Sequence, residues 1–114
     1  MTLSTRPTLA DLSGWVEDFP RAEVPELGTV RALPTDGADE TGEGIVVVHL
    51  QHAPAAVYLQ LDADSVWVAT LTARSNDLTG TSLDLIGLGA EVSAAGQLCA
   101  YLQQRTEEAA SALR

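Results

Sequence analysis

Two histidines, His49 and His52, are the side chains of this chain best suited to moving a proton or holding a metal near neutral pH. Their spacing argues against a shared ion. On an extended strand, positions three apart point to opposite faces. No Cys or further His lies nearby in sequence to complete a ligand set. No metal site and no cofactor is expected. His49 is the more promising of the two, because the strand pattern sets it beside Tyr58 on one sheet face.

The carboxylates are better read as structure than as chemistry. Asp62 and Asp64 could chelate a divalent cation, but Asp favours turns by accepting hydrogen bonds from nearby backbone amides, and a turn is required there. Asp36, Asp39, Glu40 and Glu43 lie in an acidic stretch that lacks the alternating ligands, placed Gly and closing Glu of a calcium-binding loop. Cys99 falls on the apolar stripe of a helix in a strongly acidic chain, a setting for an inert buried thiol. Tyr101 lies by helical phase outside that stripe, with Arg105 one turn on; aromatics and Arg are favoured at protein interfaces. The glycines of GLGAEVSAAG do not match a dinucleotide fingerprint, and there is no nucleophile elbow or basic, aromatic-rich patch.

Composition narrows the partners. The 114 residues carry 16 acidic and 6 basic side chains, a net charge of −10, and every basic residue is Arg. Such a field repels nucleic acid and anionic membrane surfaces. A single cysteine requires no oxidising compartment, and the first fifteen residues contain no apolar run of signal-peptide length, so a cytoplasmic location is expected. Aromatics make up only 4%, and much of the apolar content is Ala and Val, which bury little area per residue. A core this thin gains from burial against a second copy or another protein.

The elements that position these residues follow from periodicity. Leu9, Leu12, Val16 and Phe19 recur at helical spacing from Thr8 to Phe19, with Thr8 capping, Asp11 in the first turn and Pro20 ending the segment. Residues 21–33 contain Pro25 and Gly28, with Thr29 to Leu33 able to form an edge strand. Residues 34–44 read as a mobile acidic loop. Period-two alternation then predicts strands over 45–51, 56–61 and 65–73, joined by turns at 52–55 and 62–65, hence an antiparallel meander.

Pairing Gln51 with Ala56 sets His49 opposite Tyr58. A second turn centred on Ala63 and Asp64 sets Gln60 opposite Trp67. One face then holds Val46, Val48, Leu50, Val57, Leu59, Leu61, Val66 and Val68; the other holds Ile45, Val47, His49, Tyr58, Gln60, Trp67 and Leu71. A shift of one residue in the second turn would send Trp67 to the core face. Residues 83–88 form either a fourth strand or the lead into the last helix. That helix is expected from Ala90 to about Ala112, its stripe running through Val92, Ala95, Cys99, Leu102 and Thr106.

The chain is thus expected to be one α+β domain, residues 1–114: an antiparallel three- to four-stranded β-meander flanked by a short N-terminal helix and a long C-terminal amphipathic helix. The C-terminal helix should pack on the core face, and the first helix or another subunit should cover the second. The leading functional expectation is a non-enzymatic protein-interaction module, adaptor, chaperone-like or regulatory, and homodimeric. Its candidate binding residues are His49, Tyr58, Gln60, Trp67, Tyr101 and Arg105. The alternatives are a small-molecule-binding domain or minor enzyme using a pocket on the second sheet face, and an acidic mimic of nucleic acid.

Overall fold

The computed structural model describes residues 6–35, 42–72, 77 and 79–112. Most of the expected mobile acidic loop, including Asp36, Asp39 and Glu40, lies outside the described residues. Helix α1 spans Leu9–Asp18. A capping box starts it: the Thr8 hydroxyl accepts from the Asp11 N–H at 3.2 Å, and the Asp11 carboxylate accepts from the Thr8 N–H at 2.9 Å. The helix buries Leu12, stops at Phe19 before Pro20, and leads into a single 3-10 turn over Arg21–Glu23. Arg21 then donates to the Gly28 carbonyl at 2.8 Å, holding the link into the sheet.

Four antiparallel strands follow in the order β1-β2-β3-β4: β1 Val30–Pro34, β2 Gly44–His49, β3 Ala56–Leu61 and β4 Trp67–Leu71. The edge strand suggested near Thr29 to Leu33 is β1. The β2–β3 pairing is offset by two residues from the expected one, with Val47 opposite Tyr58 and His49 opposite Ala56. An even offset leaves every side chain on its expected face.

The β3–β4 pairing is offset by one, which exchanges faces. Leu61 pairs with Trp67 and Gln60 with Val68. Trp67 is therefore a core residue, while Val66 and Val68 are exposed. The cause is a three-residue loop in place of a two-residue one. Asp62 N–H donates to Val66 C=O, Ser65 N–H donates to Asp62 C=O, and Ser65 takes the left-handed conformation at φ 62°. Asp62 Oδ1 fixes this turn by accepting from the Asp64 and Val66 amides, both at 2.9 Å.

Helix α2 spans Ser82–Ala112, so residues 83–88 are its first turns and form no fourth strand. A second Thr/Asp capping box starts it, between Thr81 and Asp84. Both helices pack on the same sheet face, α1 over β1 and β2, α2 over β4 and β3. Between them lies one cluster containing Leu12, Phe19, Val46, Val48, Leu59, Trp67, Leu98 and Leu102. Neither helix covers the second face, so of the two expected covers, the first helix or another subunit, the helix is not the one. Val47 is nonetheless buried there, with Arg31 and Tyr58 as its flanking cross-strand neighbours.

The buried stripe of α2 runs through Glu91, Ala94, Ala95, Leu98, Leu102 and Thr106, rotated from the expected stripe so that Val92 is exposed. A 31-residue helix is about 46 Å long at 1.5 Å per residue, while β3 and β4, on which it lies, have six and five residues and are about 17–20 Å long. The N-terminal part of α2 therefore overhangs.

Candidate functional site

The residues singled out in the sequence do not converge. His49, Tyr58 and Gln60 share the second face, where His49 and Tyr58 border a shallow open depression of about 340 Å³ with Thr72 and Pro54. Trp67 is absent from it: its indole Nε1 donates to the Thr106 hydroxyl at 2.8 Å inside the core. Tyr101 is half-buried against the core, its ring meeting Phe19 edge-on at 5.1 Å. Arg105 lies 5.7 Å from the Trp15 ring and 5.8 Å from the Tyr101 ring, and its Nη2 is 3.8 Å from the Asp18 carboxylate. That cluster ties α1 to α2. Cys99 is half-buried beside the Trp67 carbonyl, and burial pushes its thiol above the usual range.

Two features that do stand out both belong to α2. The first is Glu91, a carboxylate only 2% exposed. Its oxygens accept from the Gln51 N–H at 2.6 Å and the His52 N–H at 2.7 Å, and Oε1 lies 2.6 Å from His52 Nδ1. Burial works to raise its pKa, but the two backbone amides and the imidazole outweigh burial and hold it below the ordinary glutamate value. Glu91 thereby caps the β2–β3 connection and orients a histidine, with Nδ1 toward the carboxylate. The imidazole lies across Gly87, where a Cβ would collide with the ring. Beyond the ring opens a cleft of about 310 Å³, bordered by Thr81, Asp84, Leu85 and Leu88. His52 reached this site through a tertiary partner 39 residues away, which no local spacing announces. The one available signal was a lone Glu in an otherwise uncharged run from 85 to 104.

The second feature is the overhang itself. Leu83, Leu85 and Ile86 are 77%, 70% and 67% exposed, and Val92 further along α2 is also exposed. Opposite the buried stripe runs a line of exposed residues at alternating spacings of four and three: Ser82, Ile86, Gly89, Ser93, Gly96 and Ala100. That is the spacing of a helix–helix seam. Between positions 82 and 104 the only exposed charge is Asp84. Nothing lies within 4 Å of where a Cβ on Gly89 or Gly96 would sit.

Comparison with protein-family models, with curated proteins and with solved structures finds no match to this chain.

Proposed function

We propose that the protein is a small non-enzymatic interaction module that self-associates through the outer side of α2, from its overhanging first turns to Ala100. The carrying observation is the exposure of Leu83, Leu85 and Ile86 on a helix whose outer side is nearly free of charge. Exposed apolar surface of this kind, concentrated on one element, marks an association site.

Three considerations favour a second copy as the occupant. The seam repeats at heptad spacing, with Ile86 its one large apolar member and Leu85 on its flank, so two copies can pack it symmetrically. Its small residues allow close approach of two backbones. The net charge of −10 repels a second copy at long range, but from 82 to 104 the helix exposes one charge, Asp84, so little of that repulsion is concentrated at the contact.

A lipid surface is the competing occupant, since α2 is long and apolar enough by composition to cross a membrane. In the folded chain, however, α2 is packed against the sheet from Glu91 onward. The nine residues before it reach about 13 Å, short of the ~30 Å hydrocarbon core.

Light scattering across a hundredfold concentration range, with and without anionic vesicles, tests the reading. A concentration-dependent dimer that Ile86→Glu abolishes is expected. A strict monomer at the highest concentration, or quantitative vesicle binding in preference to dimerisation, overturns it.

A further inference from the structure

We infer that the open edge of β4, beneath the flank of α2, binds an extended apolar segment of a basic partner protein by strand addition. The inference is independent of self-association, because the seam lies on the side of α2 turned away from the sheet.

The hydrogen bonds of β4 define what its edge offers. Asp62 N–H donates to Val66 C=O and Thr72 N–H donates to Ala56 C=O, so positions 66 and 72 bond inward to β3. By alternation, Trp67, Ala69 and Leu71 turn N–H and C=O outward. Trp67 is already occupied. Its N–H donates to Gln103 Oε1 at 2.8 Å, and its carbonyl accepts from the Cys99 thiol at 3.7 Å. The outward groups of Ala69 and Leu71 have no partner among the described residues, and both residues are exposed. Edge strands are ordinarily guarded against such pairing by a charge or a proline. β1, at the other edge, has Arg31 and Pro34. β4 reads WVATL and has neither.

The position of α2 decides the occupant. A cysteine side chain is short, so a thiol that meets an outward carbonyl of β4 places α2 above that strand, on which it packs. A second copy would have to pair its β4 antiparallel about a two-fold axis. With the two strands about 4.8 Å apart, the two α2 axes would then stand only about 5 Å apart, against the 8–10 Å that packed helices need. A bare strand carries no helix and meets no such obstacle.

The chemistry of that strand follows from its surroundings. Ala69 and Leu71 can each exchange a pair of hydrogen bonds with an antiparallel segment. The segment residues opposite them turn their side chains toward α2. On this side the flank of α2 runs from Gln103 and Cys99 to the exposed Val92, two turns before Cys99. Flank and strand alike are uncharged, so apolar residues suit both positions. The chain as a whole carries a net charge of −10, which attracts a segment flanked by Arg or Lys.

Chemical-shift titration of the full chain with the capped peptide Arg-Val-Thr-Val-Arg tests the inference. Saturable shifts at Ala69, Leu71 and Val92 are expected, with slowed hydrogen exchange at the Ala69 and Leu71 amides. Glu-Val-Thr-Val-Glu should bind at least tenfold more weakly. N-methylation of both valines, which removes the strand donors and keeps the charge, should also weaken binding at least tenfold. Ala69→Pro removes an outward N–H without breaking the ladder to β3 and should weaken binding at least fivefold. Val92→Ser leaves the edge itself untouched and should weaken it at least threefold. Parallel thermal melts verify that both variants are folded.

No saturable shift at millimolar peptide, shifts that map elsewhere, or full affinity in either folded variant would overturn the inference. Equal binding of the acidic or the N-methylated peptide would do the same. So would an intermolecular disulfide in oxidised Thr70→Cys with Cys99→Ala. Thr70 is the residue that would face its own copy across a two-fold axis, at about 4.5 Å between Cα atoms, and the disulfide would assign the edge to a second copy.

Discussion

Glu91 carries more consequence than any other single side chain. It is buried, ionised and bonded to three donors, so removing it strands two backbone amides and an imidazole. Glu91→Ala is expected to cost about 2–4 kcal/mol, and Glu91→Gln, which keeps one acceptor oxygen, about 1–3 kcal/mol, by chemical denaturation. The pH dependence has a definite sign. Because the folded pKa lies below the unfolded value of 4.5, this stabilisation is complete above that pH. It is lost as pH falls through the folded pKa, so an acid-unfolding midpoint should move to higher pH in Glu91→Gln. Trp67 and Thr106 form a second buried pair. Thr106→Val leaves the indole N–H without its partner and should destabilise the fold by about 1–3 kcal/mol.

At the scale of elements, the β3–β4 turn and the start of α2 show what was legible in the sequence and what was not. Period-two alternation from 45 to 61 placed β2 and β3 on the correct faces even with their pairing offset by two, because burial of Val46, Val48, Val57 and Leu59 tolerates no odd shift. At 62–65 the sequence DADS suits both a two-residue and a three-residue loop. Only the left-handed Ser65 distinguishes them, and Ser does not announce that conformation as Gly would. Ser65→Gly relieves the cost at φ 62° and should stabilise the protein by up to about 1 kcal/mol, read as a raised thermal midpoint.

Gly87 and Gly89 obscured the beginning of α2, although the Thr81–Asp84 pair carries the same capping signature that marked Thr8–Asp11. The stripe of α2 was misphased because Val92 looked like a core residue and Glu91 did not. Burial of Glu91 depends on donors supplied by a distant loop. On the outer side of the helix, Gly96→Gln separates two roles. With open space around Gly96, the substitution should stabilise the isolated fold by about 0.5–1 kcal/mol through helix propensity. It should also weaken self-association, since a long side chain holds the seam apart. Denaturation at low concentration and light scattering at high concentration should therefore move in opposite directions.

The whole molecule measures 55 × 31 × 21 Å, an elongation consistent with one helix longer than the sheet it covers. Its core is assembled largely from Val, Leu and Ala, with Phe19 and Trp67 as the aromatic members, and both helices lie on one side. Such a fold keeps a long helix whose first nine residues, Leu88 apart, contribute little to its own core, and that unused apolar length is the basis of the self-association reading. The claim is most directly tested by spin labels at Gln97→Cys, exposed beside the seam and not on it, in a Cys99→Ala background, with the distance between copies measured by pulsed electron resonance. Two α2 helices packed along the seam, at roughly 8–10 Å between axes, predict a narrow intermolecular distance that vanishes when Ile86→Glu is added. A featureless decay at concentrations where light scattering reports dimers would contradict the account, since the copies would then meet through some other surface.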